Sequence, residues 1–385
     1  MKRIGIIGGG QLALMMGEPA KTLGLELIVQ TPAITDPAVA IAQDVVLASV
    51  GDAVATSILA TKSDLITFEN EFVNLDALSE LEKQGVCFRP HLGALSPLLD
   101  KYHQRCYLRD LNLPVPQFFP WVNWPDLASK IEYLGFPLVV KSRRHGYDGQ
   151  GTFIVDNHAS FSTLVNQVDK KPVEFLIEEF VPFTKELAIV AARSVKGEIV
   201  TYPVVETQQE KQVCRRVIVP ADITPDQEDQ IVAIARKILT SLGVVGVFGI
   251  ELFIAAGGKI LINEIAPRTH NSGHFSLDAC KTSQFEQQLR AVVGMDLGDT
   301  SLTVPAAVMV NLLGYEDSHN EYFQTREKLA TIPHSHLHWY GKRESRLGRK
   351  LGHITILIEE LNQELIEKII YEVESIWYTR NSADR

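Results

Sequence analysis

Short apolar runs alternate with longer amphipathic stretches along most of the chain, a pattern that predicts an α/β fold. The first run, residues 3–7, is typical of a buried parallel strand, and Gly8-Gly9-Gly10 provides a turn into a following helix. Further apolar runs at 25–29 and 64–68 follow at distances expected of βαβ units. The sequence therefore predicts a parallel-sheet domain that ends near residue 95.

The middle of the chain predicts a second unit, entered through a helix that begins at Ser96-Pro97, since serine caps helices and proline suits the first helical position. A long amphipathic helix is expected at 226–242. After residue 298 a smaller unit follows, with a terminal helix at 362–377. We expect domains at 1–95, 96–298 (with a lid subdomain at about 115–185) and 299–385. The strands predicted in these two later units are 137–141, 152–155, 175–177, 186–192, 197–203 and 354–358.

Two β-rich runs flank Gly257-Gly258, which predicts a hairpin with a two-residue loop. That loop would place Glu251 directly opposite Glu264 on one face of the strand pair. Facing carboxylates about 4 Å apart repel by roughly 1 kcal/mol in water and about 4 kcal/mol near a protein surface. A divalent cation between them would reverse the sign, and oxygen-only ligands favour magnesium. Two unrelated surface acids remain the alternative at this point.

Composition narrows the classes of function. The chain has 385 residues and a formal net charge of −10, so it has no global attraction to nucleic acid or to an anionic membrane. The four cysteines have neither metal-site spacing nor a disulfide framework. No apolar stretch approaches a membrane span, and no secretory signal opens the chain. We expect a cytoplasmic protein.

The first glycine turn fits the G-x-G-x-x-G/A pattern of a dinucleotide site through Ala13. A nicotinamide site also expects an acid at the end of the second strand, where this chain has Val29-Gln30-Thr31. A mononucleotide or sugar-phosphate site fits better, and a purely structural turn stays open. Glu69 and Glu71 follow a later strand of the same sheet, where open α/β sheets bind ligands.

Three further segments carry candidate chemistry. Lys141 ends an apolar strand and precedes a glycine-rich loop at 145–152 that could close over phosphates without being a Walker A motif. Glu178-Glu179-Phe180-Val181 ends another strand and could offer backbone groups to an adenine, with Glu186 available for ribose hydroxyls. The crowding of polar and cationic side chains at 263–274 predicts a ligand site.

A strand-end lysine, a glycine lid, an acidic hinge and paired metal acids, in this order, resemble the ATP-grasp superfamily. TFENEF (67–72), KSRRHGYDGQGT (141–152), LINEIAPRTHNSGH (261–274) and GRKLGH (348–353) resemble the 5-(carboxyamino)imidazole ribonucleotide synthase family of purine biosynthesis. The resemblance implies an α/β ATP-grasp fold with an N-terminal parallel-sheet (Rossmann-like) domain and a small C-terminal domain. It also implies ATP and Mg²⁺ as cofactors, 5-aminoimidazole ribonucleotide and bicarbonate as substrates, and a homodimer.

The resemblance assigns roles residue by residue. Catalysis is implied for Lys141, Tyr147, Asp148 and Arg268, and metal binding for Glu251 and Glu264. ATP binding is implied for Lys101, Lys141, Gly146, Tyr147, Asp148, Gly149, Gln150, Gly151, Thr152, Glu178, Glu179, Phe180, Val181, Glu186, Gln209, Asn263 and Glu264. Substrate binding is implied for Gln11, Leu12, Glu69, Glu71, Tyr147, His270, Asn271, Ser272, His274, Arg349 and Lys350.

Three positions depart from the family pattern. The first turn carries Ala13-Leu14 where relatives have a glycine and an arginine, Gln150 replaces a lid arginine, and Gln209 replaces a nucleotide-contacting histidine. Without an arginine at the first turn, the basic run at 346–350 is the better candidate for a substrate phosphate. The alternatives are another ATP-grasp ligase, such as a formate-dependent transformylase or a biotin carboxylase, and a nucleotide sensor without turnover.

Overall fold

The computed structural model describes residues 2–121, 124–144, 151–168 and 174–378. The N-terminal unit is a four-stranded parallel sheet in the order β3-β2-β1-β4. Its first strand is buried along almost its whole length, which explains its continuous apolar run. The elements of this unit are β1 (Arg3–Ile7), α1 (Gln11–Leu14), α2 (Gly17–Thr22), β2 (Glu26–Thr31), a 3₁₀ turn (Pro37–Ile41), β3 (Asp44–Leu47), α3 (Ala53–Lys62), β4 (Leu65–Phe68), α4 (Leu75–Lys83) and α5 (Leu92–Leu95).

The central unit begins with helix α6 and a small antiparallel sheet in the order β5-β8-β6-β7. Helices α7 and α8 accompany this sheet. The elements are α6 (Lys101–Asp110), β5 (Phe118–Pro120), α7 (Trp124–Leu134), β6 (Leu138–Ser142), β7 (Thr152–Val155), α8 (His158–Val168) and β8 (Phe175–Glu179).

A nine-stranded antiparallel sheet forms the rest of the molecule, in the order β14-β13-β9-β11-β12-β15-β17-β16, with β10 beside β9. Strands β15 to β17 therefore extend the central sheet. Its elements are β9 (Phe183–Arg193), β10 (Ile199–Thr201), β11 (Val205–Glu210), β12 (Val213–Val219), α9 (Pro225–Leu242), β13 (Gly246–Ala255), a 3₁₀ turn (Ala256–Gly258), β14 (Ile260–Ala266), a 3₁₀ turn (Asn271–Gly273), α10 (Ser276–Ala279), α11 (Gln284–Val293), β15 (Ala306–Leu313), α12 (Phe323–Ala330), β16 (Ser335–Trp339), β17 (Lys350–Ile358) and α13 (Gln363–Trp377).

The predicted pairing of Glu251 with Glu264 is confirmed, although the predicted loop is wrong. The turn is the three-residue segment Ala256–Gly258, so Leu252 pairs with Ile262 rather than with Asn263. A bulge at Asn263 adds one residue to β14 and restores the register that places the two glutamates opposite each other. The longer turn shifts the register by one residue and the bulge shifts it back, so the predicted glutamate pair forms despite the wrong loop.

The helix expected to begin at Ser96-Pro97 begins instead at Lys101, so that prediction is wrong. Ser96 follows the end of α5, and the N-cap of α6 is Asp100. The Asp100 carboxylate accepts hydrogen bonds from the backbone N–H groups of Tyr102 (3.0 Å) and His103 (3.2 Å). Aspartate and serine are comparable as helix caps, and the carboxylate adds a negative charge that complements the helix dipole.

Most other predicted elements match the structure to within a few residues, including the parallel N-terminal sheet, the long helix α9 and the terminal helix. Strand β17 is longer than expected, because it begins at Lys350 and incorporates the end of the basic run. In the described ranges, no helix combines the length and apolar character that crossing a lipid bilayer requires.

Helix α9 packs its apolar face into the core below β9 and β13, and a capping box fixes its first turn. The Thr224 hydroxyl accepts from the backbone N–H of Gln227 (3.3 Å), and the Gln227 side chain accepts from the backbone N–H of Thr224 (3.0 Å). We predict that Thr224→Ala lowers the free energy of unfolding by about 1 kcal/mol. Urea denaturation measures the free energy of unfolding. The matched control is Thr240→Ala, at an exposed position near the C-terminal end of the same helix. An equal loss in both variants would contradict the prediction.

Candidate active site

One cavity of about 860 Å³ collects residues from all three units. Its walls come from the first glycine turn, the residues after β4, the start of α6, both central sheets and the segment after β14. Most of the described residues that sequence reasoning selected line it: Gln11, Leu12, Glu69, Glu71, Lys101, Lys141, Thr152, Glu178, Glu179, Phe180, Val181, Glu186, Gln209, Glu251, Asn263, Glu264, Arg268, His270, Asn271, Ser272, His274 and Lys350.

A buried ion triplet lies on the wall of the cavity. Glu178 on β8 forms a two-point ion pair with Arg105 of α6 and a 2.8 Å ion pair with the ammonium of Lys141 on β6. Burial alone would raise the pKa of Glu178, but the charges of Arg105 and Lys141 bring it down to about 2. The Glu178 side chain therefore fixes the position of Lys141, while the hinge residues that follow it line the cavity.

Lys141 also donates to the side-chain oxygen of Asn263 (3.1 Å), which ties the small sheet to the bulge in β14. Burial lowers the pKa of the Lys141 ammonium, and the neighbouring Glu178 opposes that shift. This arrangement presents a positioned cation at the cavity wall, where it can neutralise an anion such as a phosphate.

The carboxylates of Glu251 and Glu264 are the next feature of the cavity. The Asn263 amide donates to Glu251 (3.2 Å), a ring nitrogen of His270 lies 3.4 Å from it, and Lys101 forms an ion pair with Glu264. Burial opposes ionisation of Glu251, yet the contact with His270 and the charge of Lys101 lower its pKa to about 2. The pair is thus an anionic site that nearby cations already compensate.

A third carboxylate, Glu186, lies near Glu251 and behaves differently. Burial, together with the charge of Glu251, raises the pKa of Glu186 to about 8. The Gln209 amide donates a hydrogen bond to this carboxyl group, so the glutamine that departs from the family pattern orients Glu186. With its pKa raised in this way, the Glu186 carboxyl can hold a proton near neutral pH, and it then donates as well as accepts a hydrogen bond.

The two acids after β4 contact different parts of the molecule: one bonds to the first glycine turn, and the other pairs with a residue of the central unit. Glu69 accepts from the backbone N–H groups of Gly10 (2.8 Å) and Leu12 (3.3 Å), which occupies the donors that a phosphate would need. Glu71 forms a 2.8 Å ion pair with Arg268 from the segment after β14. Arg268, which lines the cavity, is therefore held in place by an acid of the N-terminal unit.

The HNSGH segment is held by side chains deeper in the fold. His270 contacts the hydroxyl of Ser272 through Nδ1 (2.8 Å), and Asn271 exchanges two hydrogen bonds with Asn311. His274 is fully buried, and burial brings the pKa of its ring well below the usual range. His274 is thus a neutral ring at the floor of the cavity.

The basic run separates into two environments. Lys350 lines the cavity, whereas Arg349 is outside the cavity lining and its guanidinium donates to the backbone carbonyl of Glu344 (2.9 Å). Lys342 donates to the side chain of Gln11 (2.6 Å) and to the carbonyl of Lys350 (2.7 Å). A cation from the C-terminal unit therefore reaches the first glycine turn, where the local sequence has none.

Sequence reasoning missed the site roles of three residues: Asp100, Arg105 and Lys342. Arg105 lies four residues after Lys101, one turn along the same helix. This spacing predicts that both side chains lie on the same face of the helix, and it could have placed Arg105 near the site. Asp100 anchors the guanidinium groups of Arg143 (2.9 Å) and Arg144 (3.3 Å) as well as capping α6.

Gly151 precedes β7 outside the cavity lining. Gly146, Tyr147, Asp148, Gly149 and Gln150 lie outside the described residues.

Comparison with protein-family models divides the chain into three matches. Residues 1–96 match the ribonucleotide synthetase preATP-grasp domain, residues 106–285 match the ATP-grasp domain, and residues 307–368 match the phosphoribosylaminoimidazole carboxylase C-terminal domain. With the cavity described above, these matches define an ATP-grasp enzyme, and they confirm the predicted fold class.

Individual relatives narrow the class. The N5-carboxyaminoimidazole ribonucleotide synthase of Synechococcus elongatus is 50% identical, with 100% of this chain and 97% of the relative covered. A crystal structure of an N5-carboxyaminoimidazole ribonucleotide synthetase with ADP has a TM-score of 0.90 at 35% identity, covering 98% of this chain and 97% of that one. The Aspergillus clavatus enzyme with ADP and 5-aminoimidazole ribonucleotide has a TM-score of 0.90 at 29% identity, covering 98% and 99%. The chain belongs to the N5-carboxyaminoimidazole ribonucleotide synthase family.

The ion triplet yields a stability prediction. Glu178→Ala leaves Arg105 buried without its partner, so we expect a loss of about 3–5 kcal/mol in the free energy of unfolding, measured by chemical denaturation. Its neighbour Glu179, whose carboxylate accepts from the backbone N–H of Gln117 (2.9 Å), is the matched control. We expect Glu179→Ala to cost about 1 kcal/mol. Comparable losses would contradict the assigned role of the triplet.

The same triplet predicts a pH dependence. The pKa of Glu178 is lowered on folding to about 2, so its stabilising effect is present above the ordinary glutamate pKa near 4.5. That contribution is lost as the pH falls from about 4.5 toward 2. Glu178→Gln should therefore flatten the acid limb of the stability curve, whereas an unchanged limb would exclude this carboxylate as its source.

Proposed function

We propose that this chain uses ATP and bicarbonate to carboxylate the exocyclic amine of 5-aminoimidazole ribonucleotide, giving N5-carboxyaminoimidazole ribonucleotide in purine biosynthesis. The observation that carries this proposal is the carboxylate pair Glu251–Glu264, which faces a cavity that also contains Lys141 and Arg268. Membership of the synthase family supports the reaction, and the cavity supplies groups suited to each part of it. The expected homodimer stays a prediction.

We place the nucleotide against the small antiparallel sheet and the hinge. The residues after β8, Glu179 to Val181, line the cavity and can present backbone groups to an adenine edge. Glu186, oriented by Gln209, is positioned to bond ribose hydroxyls. Lys141 would then contact the phosphates, since its ammonium lies between this sheet and the metal acids.

Glu251 and Glu264 supply carboxylate oxygens that fit Mg²⁺, because Mg²⁺ prefers oxygen ligands. The Lys101 ammonium on Glu264 shows that this position accommodates positive charge. When bound, Mg²⁺ would neutralise negative charge on the phosphates during phosphoryl transfer.

The first chemical step is attack of a bicarbonate oxygen on the γ-phosphorus, which releases ADP and forms carboxyphosphate. Lys141 neutralises charge that develops on the transferring phosphoryl group. We assign Arg268, held by Glu71, to bind the anionic carboxyl donor, because a guanidinium matches planar carboxylate geometry. The amine nitrogen of the ribonucleotide then bonds to the carboxyl carbon, either of carboxyphosphate or of carbon dioxide released from it. Inorganic phosphate leaves and the amine gives up one proton. Tyr147 and Asp148 stay our predicted contacts for that amine.

Phosphate release tests the reaction class directly. With ATP, Mg²⁺ and bicarbonate present, release should require 5-aminoimidazole ribonucleotide and should stop when formate replaces bicarbonate. Activity with formate would indicate a transformylase. Nucleotide binding with no phosphate release under any condition would indicate a sensor.

The metal assignment predicts the effect of Glu264→Gln. Removing one of two metal carboxylates should abolish Mg²⁺-dependent turnover, while stability changes by about 1 kcal/mol or less because the ion pair with Lys101 is partly exposed. Glu80→Gln, which disrupts an exposed ion pair with Lys83, is the control and should retain full activity. Near-normal turnover of Glu264→Gln would refute the assignment.

The phosphate assignment predicts the effect of Lys350→Ala. Loss of a cation that lines the cavity should weaken ribonucleotide binding about ten- to hundredfold, with ATP affinity little changed. Calorimetry measures both affinities, and Arg346→Ala, which removes an exposed cation paired with Glu344, is the control. Unchanged ribonucleotide affinity in Lys350→Ala would return the phosphate to the first glycine turn, near Lys342.

A further inference from the structure

A second cluster of ligating side chains lies behind the cavity, between α10 and the edge of the large sheet. Asp278, His338 and His353 each present an atom able to bind a metal, and these atoms lie within 4.8 Å of one another. None of the three lines the cavity of the proposed reaction. The cluster lies directly behind the cavity wall, because the ring centroids of His353 and the cavity residue His274 are 5.0 Å apart, and the carboxylation chemistry assigns its three residues no role.

The sheet register brings the two histidines together. His338 on β16 is the direct cross-strand partner of His353 on β17, and their ring centroids are 4.6 Å apart. Asp278 approaches from α10, with its carboxylate oxygens 2.9 and 3.1 Å from Nε2 of His338. His336, two residues earlier on the same face of β16, flanks the carboxylate at 3.6 Å.

One ring nitrogen of His353 has no hydrogen-bond partner in the described part of the chain. The ring is fully buried and Nδ1 shares a 2.8 Å hydrogen bond with the Tyr340 hydroxyl, whereas Nε2 finds no partner among the described residues. Burial holds the pKa of His353 well below its usual range, so the ring is neutral. When Nδ1–H donates to Tyr340, Nε2 carries a buried lone pair, the state of a metal-binding imidazole oriented by a second hydrogen bond.

We propose that Asp278, His338 and His353 form a binding site for a divalent transition metal of the zinc class. Two imidazoles and one carboxylate are a common zinc ligand set, and a fourth position would be filled by water or by His336. Ligands in tetrahedral zinc sites lie about 3.3 Å from one another, so the present separations require small side-chain movements. The His338 side chain is 30% exposed and has room to turn.

Metal binding replaces the proton that His338 and Asp278 share. In the metal-bound state Nε2 of His338 and a carboxylate oxygen of Asp278 bind the metal, and the ring keeps one proton on Nδ1. A neutral ring protonated at Nε2 moves that proton to Nδ1 through solvent, whereas a doubly protonated ring releases it to solvent. The lone pair of His353 Nε2 is already available and needs no proton loss. The site therefore requires no oxidant or other co-reactant.

Zinc titration against a chromophoric chelator tests the proposal, in excess Mg²⁺ and ADP so that the cavity is occupied. The wild-type chain should bind one Zn²⁺, and His338→Gln should weaken that binding by more than about a hundredfold, beyond the effect expected for an outer-shell change. Tyr340→Phe keeps all three ligands but removes the orienting hydroxyl, so it should weaken binding about ten- to hundredfold.

His334→Asn is the matched control, because His334 is exposed on the same edge of the sheet at a positive φ of 57° that asparagine tolerates. It should bind zinc as the wild type does. Asp278→Asn provides a second ligand variant should His338→Gln fail to fold, as judged by its circular dichroism. Equal zinc affinity in wild type and in a folded ligand variant, or no zinc binding by the wild type, would overturn the proposal.

Discussion

The repulsion between two carboxylates on neighbouring strands is the constraint around which the site is organised. Glu251 and Glu264 are opposed because β14 gains one residue at its bulge, and without that residue one acid would move to the other face of the sheet. Stability alone would not favour such a pair. Lys101 compensates part of this charge through its ion pair with Glu264, and His270 contacts Glu251. Such a pair of carboxylates is suited to a divalent cation during phosphoryl transfer.

The buried triplet of Arg105, Glu178 and Lys141 connects that hairpin to the rest of the site. It joins α6, β8 and β6 through buried ion pairs. Separating these charges would leave each one buried without a partner, which strongly destabilises the fold. Since Lys141 also reaches Asn263 at the bulge, the small sheet and the hairpin share one polar network. The likeness to solved synthase structures extends over the whole chain, which agrees with a site built from all three units.

The sequence predicted those elements that depend only on residues close together in the chain. The buried strand β1, the glycine turn after it and the amphipathic α9 all follow from apolar periodicity and turn chemistry. The Glu251–Glu264 pair was predicted through a loop of the wrong length, because no sequence signal marked the bulge. Long-range contacts were beyond such reasoning: Lys342 reaches Gln11 across 331 positions of the chain. Nearly all described residues that the family resemblance selected line the cavity, whereas the cross-strand histidines behind the cavity became visible only with the sheet register.

Anomalous diffraction from a crystal grown with Mn²⁺ and ADP tests the central claim most directly, because Mn²⁺ accepts the same oxygen ligands as Mg²⁺. The account predicts an anomalous peak bonded to a carboxylate oxygen of both Glu251 and Glu264, with the Lys101 ammonium displaced from Glu264. A nucleotide-bound structure in which the metal contacts neither glutamate, and Lys101 still pairs with Glu264, would contradict it.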